Sequence, residues 1–143
     1  MDQLQTEGKT QRKFEKIYRG RQATMHHVSY MRLSKVLLAL RAMRRSGREL
    51  KSRSIFDYGF GAGTFFRFCP TDSPLYGVEQ DPVVCNEVAH MLASRGYRQV
   101  DLQPIEISRW NEHPLLKRDY DVFLCSHVLE HLPDPLGFLK AVR

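Results

Sequence analysis

Ser54-Ile55-Phe56-Asp57-Tyr58 is a short apolar run with one acidic residue, and Gly59, Gly61 and Gly63 follow at every second position. A run of that length bounded by glycine reads as a strand buried in a parallel sheet. Leu75-Tyr76-Gly77-Val78, the stretch Val100 to Ile107 and Tyr120 to Cys125 read the same way, although Pro104 interrupts the third. Helical periods lie between them. Val84, Val88, Met91 and Leu92 share one face of a helix from Pro82 to Gly96, with Asp81 as its N-cap. Thr64 to Cys69, stopped by Pro70, leaves room for a helix of about two turns. A last helix, capped by Asp134, starts at Pro135 and is still running at Arg143. Strands that alternate with helices predict an α/β fold.

Ahead of the first strand the pattern is helical only. Residues 1–10 are polar and predict a disordered tail. Phe14, Ile17 and Tyr18 predict a short helix ending at Gly20. A second helix runs from Ser29, with Leu33, Val36, Leu37, Leu40 and Met43 as its stripe and Gly47 as its stop. Arg44, Arg45 and Arg48 crowd its C-terminal end, which suits the helix dipole. The domains expected are therefore a tail over 1–10, a basic helical segment over 11–50 and an α/β core over 51–143.

Charge sharpens that division. Residues 1–53 hold 14 Lys/Arg against 4 Asp/Glu, whereas residues 54–143 hold 8 against 12. The basic part is a candidate surface for an anionic substrate, for nucleic acid such as RNA or for a lipid surface, and a plain solvated face is the simpler reading. Apolar content of 42% and charged content of 27% are ordinary for a globular protein. No apolar run approaches the roughly 20 residues of a membrane span, and Met1 to Gln5 carries no hydrophobic leader segment. Cys69, Cys85 and Cys125 are odd in number and far apart, which argues against disulfides or zinc and for a reducing cytoplasm.

The glycine turn carries the chemistry. Its glycines let the backbone take positive φ and approach a ligand closely. A dinucleotide fingerprint needs a small residue three past Gly63, but Phe66 stands there, and a nicotinamide-dependent dehydrogenase is disfavoured. A phosphate-binding P-loop needs lysine, and Thr64-Phe65-Phe66 has none. Glu79 lies at the end of the second strand, 22 residues after Asp57. A carboxylate placed there accepts hydrogen bonds from a ribose diol.

The D-x-G-x-G-x-G spacing resembles motif I of the class I S-adenosylmethionine (AdoMet) dependent methyltransferases. The stretch Asp121-Val-Phe-Leu-Cys-Ser-His-Val-Leu-Glu-His-Leu-Pro-Asp134 closely resembles the fourth-strand region of the ubiquinone O-methyltransferase type. The resemblance implies a Rossmann-like methyltransferase sheet with N-terminal helices folded over the site as a lid. It implies AdoMet as cofactor and methyl transfer to an O or N atom of a small-molecule acceptor. Asp57, Gly59, Gly61, Gly63 and Ser126 would hold the cofactor, Glu79 its ribose, and Glu106 and Ile107 its adenine. His127 and His131 would face the acceptor, with proton abstraction as their candidate role. His127, Glu130 and His131 also resemble the E-x-x-E-H metal ligands of small-RNA 2′-O-methyltransferases, but the first Glu is replaced, and no metal is expected.

The resemblance also implies a seven-stranded sheet in the order 3-2-1-4-5-7-6, of which this chain carries the first four strands. The fourth strand is then an apolar edge without proline or lysine, and either a homodimer through it or a marginally stable, aggregation-prone chain is expected. A non-catalytic AdoMet-binding or RNA-binding protein is the alternative.

Overall fold

The computed structural model describes residues 27–47 and 49–142. The tail, the Phe14 helix, His26 and Arg48 lie outside the described residues, as do the side chains of residues 27–33 and 35. Helix α1 spans His27–Arg45, beginning two residues before the Ser29 expected from the sequence. Strand β1 is Ile55–Tyr58, β2 is Leu75–Glu79, β3 is Val100–Pro104 and β4 is Val122–Cys125. Helix α2 spans Pro82–Ser94 and α3 spans Pro135–Ala141.

The four strands form one parallel sheet in the order β3-β2-β1-β4. This is the first half of the expected order, and it puts β1 at the centre, where all four of its residues are buried. Asp57 pairs with Gly77 of β2 and with Leu124 of β4, so three strand ends converge beside the glycine turn. The start of β4 is clamped to that of β1 by Asp121, which accepts from the Ser54 amide at 2.8 Å and from Arg53 at 3.1 Å. Those contacts hold the Asp121 carboxyl below the usual carboxylate range, the Ser54 amide contributing most.

Each sheet face has its own core. One face packs Ile55, Phe66, Leu75 and Val88 with α2 and with Val36 of α1. The other packs Phe56, Tyr58, Trp110, Leu115 and Phe138. Trp110, in a loop without any recognisable motif, stands edge-on to Phe138 of α3 at 5.6 Å. Asp81 caps α2 by accepting from Val83 at 2.9 Å, with Pro82 at the first turn, and Gly96 follows its end at φ 88°.

Two expectations need correction. After the glycine turn there is no two-turn helix, only a single 3-10 turn at Phe66–Phe68. Pro70, which has no N–H for the Phe66 carbonyl, stops the segment, and the Tyr97 hydroxyl holds its end, 2.8 Å from the Phe66 carbonyl and 2.7 Å from that of Cys69. The Phe66 carbonyl also accepts the Cys69 amide at 3.0 Å, which closes the 3-10 turn. The last helix, in turn, ends at Ala141 with Val142 as its C-cap rather than running through Arg143, which is outside the described residues.

Candidate active site

A cavity of about 350 Å³ opens at the C-terminal ends of β1, β2 and β4. Open parallel sheets place ligands there, where helices diverge and the topology reverses. Val36 of α1 reaches its wall, so the N-terminal helix is part of the enclosure. Asp57, Gly59, Gly61, Glu79, Ile107, Ser126, His127 and His131 all line it. Two expected residues do not. Gly63 is buried behind the turn, where a Cβ would come within 2.6 Å of Val88, and Glu106 faces a shallow groove next door. Glu106 is exposed and accepts from Ser108 at 2.6 Å.

The glycine turn is built from positive φ at Gly59, Gly61 and Gly63, of 72°, 50° and 63°. Those values strain any residue with a Cβ. Their amides are engaged within the protein: Gly59 donates to Val78, Gly63 to Phe60, and Gly61 to the Glu79 carboxylate at 2.9 Å. Beneath the turn the Phe60 ring packs against Phe66, and Gly77 of β2 leaves room for both. That dependence of the turn on Gly77 carries no local sequence signal, since glycine inside a strand reads only as a weak position.

Electrostatics single out Asp57. Its side chain is only 5% exposed, and among the described residues no hydrogen-bond donor meets its carboxylate. Burial raises its pKa well above the ordinary carboxylate value, and the nearby Glu79 raises it further. A cation entering the cavity would relieve both effects. Glu79 spends one oxygen on Gly61 and the other on the Gln80 amide. A carboxylate offers about four lone-pair positions, so it retains acceptors for ligand hydroxyls.

The far side of the cavity is shaped by the chain leaving β4. His127 sits at φ 58°, a left-handed conformation that is costly for a residue other than glycine. Its Nδ1 lies 3.5 Å from Glu130, and His131 begins no new turn of α-helix but ends the 3-10 piece Leu129–His131. His127 therefore stands outside that helical turn, although its ring stays beside Glu130. No group of three or more His, Cys, Asp or Glu side chains gathers for a metal among the described residues. Cysteine nucleophiles are disfavoured too: burial pushes the Cys69 thiol up to about 12 and those of Cys85 and Cys125 to about 11.

A parallel β3-β2-β1-β4 sheet, a glycine turn after its central strand and carboxylates at the strand ends define an open, Rossmann-like α/β domain with a cavity at its C-terminal edge. Residues 56–143 match the family model described as methyltransferase domain, and the chain belongs to that family. It is 24% identical over 106 residues to the ubiquinone biosynthesis O-methyltransferase of Histophilus somni, a match covering 73% of this chain and 44% of that protein. Among solved structures it is similar to magnesium protoporphyrin IX methyltransferase from Synechocystis with bound SAH. That likeness has a TM-score of 0.67 at 16% identity, over 96% of this chain and 61% of the other. A SAM-dependent methyltransferase from Aquifex aeolicus gives a TM-score of 0.52 at 20% identity, over 64% and 50% of the two chains. These likenesses show the Rossmann-like fold. The chain spans about half the length of the relatives it matches.

Proposed function

We propose that the cavity binds S-adenosylmethionine and that the domain serves methyl transfer to an oxygen or nitrogen of a small-molecule acceptor. The observation that carries this reading is the buried Asp57 carboxylate without a partner among the described residues, next to Glu79 on the adjacent strand tip. The pair suits a ligand with a positive charge and a vicinal diol. The bound cofactor would supply an electrophilic methyl group, so the protein's part is orientation and exclusion of water.

Asp57 would hold the α-ammonium, Glu79 the ribose hydroxyls, and Ile107, with Glu106 at the rim, the adenine. Gly59 and Gly61 let the backbone come close, Gly63 seats the turn on α2, and Ser126 closes the end of β4. Val36 supports a lid role for α1, because it seals the cavity from the N-terminal side. His127 is the better placed of the two histidines to take an acceptor proton. Glu130 beside its Nδ1 favours the tautomer protonated there, in which Nε2 is the basic nitrogen. His131 would shape the acceptor entrance. Three free cysteines fit a reducing cytoplasm.

Calorimetry with S-adenosylhomocysteine, and with NAD in parallel, tests the reading. Binding of S-adenosylhomocysteine alone is expected, at least tenfold weaker in Asp57→Asn. Binding of NAD alone, or of neither, would overturn it.

A further inference from the structure

Among its described side chains, helix α1 is seated by one face. Val36 is buried, and Leu40 packs half-buried against the same core cluster. With about 3.6 residues per turn, Leu37, Leu38, Arg41, Arg44 and Arg45 fall together on roughly a third of the opposite circumference. All five are exposed, Leu37 at 51% and Leu38 at 64%. The helix contains no acidic residue, and none of these arginines meets one among the described residues.

Charge narrows what covers this face. A second copy would set one arginine row against another. Residues 1–26 hold six Lys/Arg against three Asp/Glu, so they too would be repelled. An anionic partner remains, and the leucines decide its kind. RNA phosphates pair with arginine but give Leu37 and Leu38 no apolar medium to enter. An anionic bilayer offers both, charge at the surface and hydrocarbon just beneath.

We propose that the outer face of α1 docks the protein onto an anionic lipid surface. Arg41, Arg44 and Arg45 lie among the headgroup phosphates, and Leu37 and Leu38 enter the acyl boundary. Val36, which lines the cavity, is on the other side of the helix, so docking leaves the cavity wall in place. Among the described residues no helix is long and apolar enough to cross a membrane, and the contact is peripheral.

Flotation of the 143-residue chain with phosphatidylcholine vesicles, with and without phosphatidylglycerol, tests this. Binding is expected only to the anionic vesicles and should fall with added salt. Arg41→Gln/Arg44→Gln/Arg45→Gln should lower partitioning roughly a hundredfold, about fivefold for each charge near an anionic surface. Leu37→Ser/Leu38→Ser should lower it at least tenfold, with an unchanged far-ultraviolet spectrum. Arg67→Gln/Arg98→Gln, which removes exposed charge elsewhere, should change it little. The proposal fails if the wild type ignores anionic vesicles at low salt, or if the leucine pair is replaced without effect. Tighter binding to a single-stranded RNA, independent of the leucines, would assign the face to nucleic acid instead.

Discussion

The Glu79 carboxylate accepts the Gly61 amide at 2.9 Å, which ties the tip of β2 to the middle of the glycine turn. One side chain thus shapes the cavity and lines it. Glu79→Ala should weaken S-adenosylhomocysteine binding by about 1.5–3 kcal/mol, the range for a hydrogen bond to a charged group. It should also loosen the turn, lowering the melting temperature without ligand. Asp81→Ala should cost about 1 kcal/mol of stability through the lost α2 cap and leave affinity nearly intact. Equal losses of affinity in the two variants, measured by calorimetry, would show that the carboxylate roles are not divided in this way.

Asp57 should trade stability for binding. Burial and Glu79 raise its folded-state pKa above its unfolded value. The folded protein then binds more protons than the unfolded chain between those two values. Stability from this group is full below the unfolded pKa and is lost as pH rises through the folded one. Asp57→Asn removes the titration. Without ligand it should melt a few degrees above the wild type near neutral pH, with the gap closing towards about pH 4. A difference in melting temperature that stays constant with pH would exclude Asp57 as the titrating group.

The element types and their order were legible because parallel strands are continuous apolar runs and the α2 cap is written in Asp81-Pro82. The places of Asp57 and Glu79 on the sheet were legible because one stands just before the end of β1 and the other at the end of β2. What stayed hidden depends on contacts distant in sequence. Tyr97, about 30 residues further along the chain, holds the end of the 3-10 turn at the Phe66 and Cys69 carbonyls. The left-handed His127 stands outside the helical turn that holds Glu130 and His131. Propensity alone would not place histidine there.

Gly77→Ala is the sharpest probe of that hidden layer. The added methyl would lie 2.7 Å from the Phe60 ring and 2.9 Å from the Asp57 carbonyl, and the second contact is backbone. Overpacking of this kind costs about 1–3 kcal/mol. Denaturant unfolding should show that loss, together with weaker cofactor binding because Phe60 carries the turn. Adding Phe60→Ala should recover only part of the stability, since the carbonyl contact remains. Full recovery would place all of the strain on the ring.

His113 should make the loop before β4 sensitive to acid. Its Nδ1 accepts the Leu115 amide at 3.2 Å, a role open only to the unprotonated nitrogen. Burial lowers its pKa, outweighing the opposing pull of Asp101. A depressed pKa contributes stability that is present above the unfolded value and lost as pH falls through the folded one. Melting temperature should therefore drop below about pH 6.5, and His113→Asn, which can still cap, should flatten that drop. An unaltered acid limb in the variant would assign the titration elsewhere.

The last prediction concerns β4. Its inner side pairs with β1, while its outer row of N–H and C=O groups has no strand beside it among the described residues. Val122 to Cys125 are half-buried and carry neither charge nor proline, so nothing on the strand opposes pairing. Helix α3, whose Phe138 packs on Phe123 at 6.1 Å, exposes Leu136 at 62% and Leu139 at 52%. An open edge and an apolar helix face together predict reversible self-association. Sedimentation velocity across a concentration series should show a dimer that grows with concentration. Leu136→Glu/Leu139→Glu should shift that equilibrium towards monomer by at least tenfold, because like charges would then meet across the contact. Phosphatidylglycerol vesicles should still capture this variant, since α1 is untouched. A wild-type chain that stays monomeric at every concentration would mean that the edge is protected, and an unshifted dimer in the variant would move the contact away from α3.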